Sequence, residues 1–216
     1  LLIYKYYLET ISNILVDMGI NINTVPVLDL LQSSTHTIIQ ERSYSSNLET
    51  IKHLGKFCIS YFKDKKIGTV AKHAPGHGSA NADSHKKLPI VYKSTRHLYK
   101  NDFAAFNNLN SHFLMTAHVL YKKIDSKKSA TISRNIINKI IRKKLKYKGI
   151  IISDDISMKA LSKDIVTNAK KALNAGCNLV LHCSGDIKET TSLLNNLNTI
   201  DKFTQKKTHH FYEFLR

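Results

Sequence analysis

Residues 68–85 read Gly68-Thr69-Val70-Ala71-Lys72-His73-Ala74-Pro75-Gly76-His77-Gly78-Ser79-Ala80-Asn81-Ala82-Asp83-Ser84-His85. The run from Gly68 to about His73 has the length and apolar character of a buried strand. From Lys72 onward, fourteen residues hold three histidines, a lysine and an aspartate, interrupted by Pro75, Gly76, Gly78 and Asn81. Turn formers at that density place the titratable groups on a loop. A strand that hands polar residues to a loop at its carboxyl end is the unit from which α/β folds build their sites.

The unit recurs along the chain. Leu1 to Met18 patterns as an amphipathic helix with Leu8, Ile11, Leu15 and Met18 on one side, and Gly19 is a stop. Ile20 to Leu30 reads as a strand ending on Asp29, and residues 31–45 as a polar loop with Glu41, Arg42 and Tyr44. Ser46-Asn47-Leu48-Glu49 has the form of a capping box and opens a helix to about Asp64. A helical stretch is expected over 99–109, and a strand over 112–119 ending at His118. A helix follows from Ser133 to Leu145, with Ile136, Ile137, Ile140 and Ile141 on one side. Gly149 to Asp154 is an apolar strand that ends in Ser153-Asp154-Asp155. A helix from Ile165 stops at Gly176, a strand spans Asn178 to His182, and two helical stretches close the sequence.

Strands that read as continuous apolar runs are those covered on both faces, as in parallel sheets. Asp29, Lys72, His73, His118, Asp154 and His182 all fall at strand carboxyl ends. The fold class is therefore α/β with a parallel sheet, a pattern shared by open α/β folds and (β/α)8 TIM-type barrels, the latter being what the family resemblance described below implies. Roughly five strands are readable where such a barrel has about eight. The expected architecture is one domain over residues 1–216 that is N-terminally incomplete, with its first units lying before Leu1 and its sheet edges and core left open.

Composition narrows the function classes. The 216 residues carry a net charge of +17, but the lysines are scattered through every segment rather than gathered on one face. With Tyr spacing that forms no stacking platform, no nucleic-acid partner is expected. No apolar run has membrane-span length, and no membrane partner is expected. Cys58, Cys177 and Cys183 are odd in number and irregularly spaced, as for free thiols in a reducing cytoplasm. No dinucleotide or P-loop glycine motif follows a strand.

Asp83 and His85, two residues apart on a loop, make a carboxylate–imidazole pair that suits proton transfer near neutral pH. Spacing alone favours the plainer reading, an exposed Asp and His that meet solvent. Asp154 and Asp155 at a strand end are costly without a cation or ligand to face them. One of them can equally cap a following helix, and strand alternation lets each do one task. His73, His77, His85 and Asp83 match no zinc spacing, and no metal or other cofactor is expected.

In order along the chain, Val25-Pro26-Val27-Leu28-Asp29, Glu41-Arg42-Ser43-Tyr44, Lys72-His73-Ala74-Pro75-Gly76-His77-Gly78, Asp83-Ser84-His85 with Leu88-Pro89, Met115-Thr116-Ala117-His118-Val119, Gly149 to Met158, and Ala175-Gly176-Cys177 resemble the motifs of family 3 glycoside hydrolases. The bacterial β-N-acetylglucosaminidase branch of cell-wall recycling is the nearest in pattern. The resemblance implies a retaining glycosidase with Asp154 as nucleophile, His85 as general acid/base and Asp83 as its partner. It further implies that Lys72, His73 and Arg42 bind N-acetylglucosamine, with His118 and Asp29 close by. The implied substrate is an N-acetylglucosaminyl-anhydromuropeptide, and the implied protein is a cytoplasmic monomer. An imidazole base repels an anionic acceptor less than a carboxylate does, which leaves phosphorolysis open beside hydrolysis. Members of the family carry two strands and an acidic Asp-x-Glu-Gly-Gly segment ahead of the point matching Leu1. Ala74 stands where Phe is usual, and Asn178 where Asp is usual, so a charge near the final strand is lost.

Overall fold

Helix α1 (Leu2–Asp17) buries Leu8 against Cys58 and Phe62 of helix α3 (Leu48–Asp64). It ends at Gly19, whose φ of 70° is open to glycine at no steric cost. Met18, expected on the buried side, is exposed, because the helix turns its last residues outward. The computed structural model describes residues 1–33, 35–162 and 164–216.

The anticipated strand over 20–30 is reduced to β1 (Ile22–Asn23). Pro26 has no N–H to donate, which breaks the ladder. The segment still runs beside β2 (Gly68–Ala74): Lys72 N donates to the Pro26 carbonyl at 3.0 Å, and Leu28 N to the Lys72 carbonyl at 2.7 Å. Within the loop over 31–45 lies a one-turn helix, α2 (Thr37–Gln40). The cap of α3 is Asn47 rather than Ser46, its side chain accepting from Thr50 N at 3.0 Å.

Between β3 (Ile90–Val91) and β4 (Phe113–Thr116), the stretch expected as one helix is split into α4 (Thr95–Lys100) and a 3-10 turn (Phe103–Phe106). Strand β5 (Leu120–Tyr121) pairs with β3 in a small parallel sheet. Asn135–Lys144 is a π-helix whose Ile136, Ile137, Ile140 and Ile141 are all buried. Its wider winding is marked by Leu145 N donating to the Ile140 carbonyl. Then come β6 (Ile150–Asp155), α5 (Ile165–Ala175), β7 (Leu179–Leu181), α6 (Ile187–Asn196) and α7 (Lys202–Leu215).

The main sheet is parallel throughout, in the order β1-β2-β4-β6-β7. Alternation divides its side chains between two cores. Ala71, Leu114 and Ile151 face the helices and pack with Ile51, Ile137 and Ala172. Val70, Phe113, Met115 and Ile150 face the other way, into a second cluster closed by Phe211. This second cluster corrects the expectation of an open core: Phe211, Phe214 and Leu215 of α7 cover that side. Gly68 makes room for them, since a Cβ there would lie 2.5 Å from the Phe211 ring. Asn178, just before β7, helps hold α7. Its Oδ1 accepts from Arg142 Nη2 at 2.7 Å and Ile151 N at 2.9 Å, and its Nδ2 donates to Thr204 Oγ1 at 3.0 Å.

Candidate active site

Strand β2 ends at the buried Ala74, and the chain leaves it as a compact loop. The loop is anchored along its length. Gly76 takes φ 139° against Asp102, and a Cβ on Gly78 would meet the Leu30 carbonyl at 2.0 Å, so neither position admits a side chain. Tyr121 Oη donates to the Gly76 carbonyl. The fully buried Asp102 accepts from Ser79 N and Ser79 Oγ, both at 2.8 Å, and from Gln32 Nε2. At the loop's far end Ser84 O accepts from Ala160 N at 3.1 Å, joining it to the turn that follows β6.

The loop delivers Asp83 and His85 as a pair. Asp83 Oδ1 meets His85 Nδ1 at 2.8 Å and accepts from His85 N at 2.9 Å. The Asp83 side chain is 10% exposed and that of His85 55%. Burial alone would raise the Asp83 carboxyl, but the His85 hydrogen bonds outweigh it and hold the group below its ordinary value. The plainer surface-pair reading therefore describes only one partner, since Asp83 is buried.

At the end of β6, Asp154 is buried and accepts from Asp155 N at 2.9 Å. Its charge reaches Lys72, His77, His118 and Cys183. Asp155 turns elsewhere, accepting from Ser157 N, Ser157 Oγ and Cys183 N. Residues 156–161 form turns rather than the helix that one of the two aspartates was expected to cap.

Lys72 is half-buried at the end of β2. Its pKa is lowered by burial and then by the nearby Arg42 guanidinium, against the pull of Asp154 and Asp29. Arg42 is exposed, and its Nε donates to the Ile38 carbonyl. His73 and His77 gather on Asp29 instead of joining His85. Asp29 Oδ2 meets His73 Nδ1 at 2.7 Å, and Oδ1 accepts from His77 N at 2.7 Å. Burial would raise Asp29, but His73 and then His77 bring it below its ordinary value.

Asp29 and His118 are buried at the cluster, each with partners from the chain itself. Asp29 is fully buried and its carboxylate is taken up by the two histidines. His118, also fully buried, sets Nε2 2.9 Å from the Asp155 carbonyl and Nδ1 2.7 Å from Thr131 Oγ1. A carbonyl accepts only, so Nε2 carries the proton and Nδ1 accepts from Thr131. Burial lowers the pKa of His118, in keeping with a neutral ring.

Two participants carried no signal in the sequence, and a third was visible without its role. Asp102 has no motif, and only its place before the apolar Phe103-Ala104-Ala105-Phe106 singles it out. Thr131 lies in a polar loop without signal. His77 stands out in the sequence as a turn residue and a candidate metal ligand, not as a buried ring. Its ring is buried, Nδ1 has no partner among the described residues, and burial pushes its pKa down to about 4 against the pull of Asp29.

A parallel barrel-type sheet with its polar cluster at the strand carboxyl ends, and a loop-borne His–Asp pair carried at the same end as Asp154, define the class: a (β/α)-barrel-type domain with its titratable groups gathered at one end of the sheet. Within that class the chain belongs to glycosyl hydrolase family 3, whose N-terminal domain model matches residues 5–210. It is 34% identical over 189 residues to a β-hexosaminidase of Psychromonas ingrahamii, covering 85% of this chain and 55% of the relative. The β-hexosaminidase of Haemophilus influenzae is 33% identical over 201 residues, covering 90% of this chain and 55% of the relative. The chain thus spans about half the length of these relatives. Among solved structures, the family 3 β-N-acetylglucosaminidase of Paenibacillus sp. superimposes with a TM-score of 0.87 at 29% identity, covering 98% of this chain and 42% of that one. NagZ of Neisseria gonorrhoeae, in complex with N-trifluoroacetyl-D-glucosamine, gives 0.85 at 25% identity, covering 99% and 61%.

Proposed function

We propose that this chain carries the catalytic domain, residues 1–216, of a retaining β-N-acetylhexosaminidase. In this reading it releases terminal β-linked N-acetylglucosamine from peptidoglycan fragments of the N-acetylglucosaminyl-anhydromuropeptide type. The observation that carries the reading is the 2.8 Å His85–Asp83 pair, half-open to solvent and tied through Ser84 to the turn after Asp154.

Asp154 attacks the anomeric carbon, and a carbon–oxygen bond forms as the bond to the leaving oxygen breaks. Protonated His85 gives its Nε2 proton to that oxygen. Anionic Asp83 holds Nδ1–H, so the ring left behind is neutral with Nε2 as the basic nitrogen. That nitrogen then takes a proton from the water that cleaves the glycosyl-enzyme. Lys72, His73 and Arg42 bind the sugar, Asp29 fixes the His73 ring, and His118 fixes the backbone at Asp155. The protein works as a cytoplasmic monomer and uses no cofactor. No described helix is long and apolar enough to cross a membrane.

Turnover of an aryl N-acetylglucosaminide tests the proposal. Asp154→Ala is expected to abolish it and His85→Ala to lower it about 10²- to 10⁴-fold. Turnover at the unmodified level in both variants would overturn the assignment. A second reading is a catalytically impaired member of the family that retains sugar binding. It predicts N-acetylglucosamine binding without turnover, and weaker binding in Lys72→Ala.

A further inference from the structure

At the end of the sheet opposite Asp154, the turns before β4 and β6 and one face of α7 enclose a cavity of about 440 Å³. Its size falls in the range of small-molecule sites. Lys63, Lys146, Lys148 and Lys207 line it, and no Asp or Glu does. None of the four takes part in an ion pair among the described residues.

Four lysines around one cavity with no carboxylate among its lining make it electropositive, and a multiply charged anion offsets that; Lys207 Nζ, 5.8 Å from the Phe203 ring, would swing in to meet it. A second observation comes from the wall of the same cavity. Ser111 lines the cavity, is 5% exposed, and its Oγ is buried with no hydrogen-bond partner. A lone buried hydroxyl is costly unless something accepts from it. The wall beside it is aromatic: His112 packs 5.2 Å from Phe211, and Phe113 4.9 Å from Phe211.

We infer that this cavity binds a small phosphate-bearing molecule, with Lys63, Lys146, Lys148 and Lys207 meeting the phosphates and Ser111 Oγ donating to one of them. The site is separate from the glycosidase centre and does not depend on that reading. Sugar-independent anion binding would survive the failure of the proposed activity.

Calorimetric titration of the full chain with pyrophosphate, and separately with ADP, tests it. Saturable one-site binding is expected. Lys146→Gln/Lys148→Gln should weaken it about tenfold. The charge-matched control Lys170→Gln/Lys171→Gln, on the exposed face of α5, should change it less than about twofold. Asp154→Ala should leave it unchanged. ADP binding tighter than pyrophosphate assigns the aromatic wall to a base, and equal affinity assigns recognition to the phosphates alone. Ser111→Ala supplies an arm without charge change: affinity should fall, and the pyrophosphate-induced shift of the His112 ring resonances should shrink. Equal weakening by both lysine pairs would reduce the effect to net charge and overturn the site. Binding competed by N-acetylglucosamine, or seen only with long single-stranded DNA, would overturn it as well.

Discussion

Asp102 and Ser79 are joined twice, each carboxylate oxygen accepting at 2.8 Å, one from Ser79 N and the other from Ser79 Oγ. The first residue precedes a 3-10 turn on the flank of the barrel, and the second lies midway along the loop that carries Asp83 and His85. Burial raises the Asp102 carboxyl, so the donors that surround it are what make the charged form tolerable.

Replacing Asp102 by Ala leaves Ser79 N and Gln32 Nε2 without an acceptor in a buried place. A loss of about 1–3 kcal/mol in urea unfolding is expected. The loop should loosen while the strand-end cluster of Lys72 and His73 stays formed. For an active enzyme this means a lower kcat at nearly constant KM, and unchanged KM with unchanged kcat would show that the latch does not position His85.

Acid should unfold the protein partly through His77. Its pKa falls from an ordinary value near 6.5 to about 4 in the folded chain, because burial disfavours the charged ring. Such a group contributes stability that is fully present above the unfolded value. The unfolded state binds the proton first, so the contribution is lost as pH falls from 6.5 toward 4. Between pH 7 and 5 the loss is roughly 2 kcal/mol. His118, whose pKa is also lowered, adds a change of the same sign. His77→Gln should flatten this part of the stability profile, measured by urea unfolding at the two pH values. An equally steep profile in the variant would place the acid sensitivity elsewhere.

Asn178 lies between Arg142 and Thr204. An Asp there keeps the oxygen that accepts from Ile151 N and Arg142, and its second oxygen can accept from the Thr204 hydroxyl. Asn178→Asp is therefore expected to raise stability by about 1 kcal/mol at pH 7, because the bond from the Arg142 guanidinium becomes an ion pair. The gain should vanish once the carboxylate is protonated in acid. Thermal melts at pH 7 and pH 3 check it, and a lower melting temperature at pH 7 would show that desolvation of the new charge dominates.

The parallel sheet was legible because buried strands write themselves as apolar runs, and Ile150-Ile151-Ile152 shows it most plainly. The π-helix kept its four isoleucines on one side, since that spacing specifies a face and not the winding. Segment 20–30 failed as a strand because its β-branched residues outvoted Pro26, whose missing donor decided the ladder. The motif residues Asp83, His85 and Asp154 came to one end of the sheet. Asp29 and His118 were legible as members of the cluster but not as closed ones, because burial is a tertiary property. Asp102 could not be read at all, since its partners are 23 and 70 residues away.

The seating of Phe211 has a bearing on synthesis. The strands whose concave side it covers, carrying Val70, Phe113, Met115 and Ile150, leave a ribosome long before α7 does. Until that helix emerges, the sticky apolar side that Phe211 covers is left facing water. The sheet's inner layer is thus the last part of this chain to become safe from aggregation. A ribosome stalled a few codons short of Phe211 would display a surface made for chaperones.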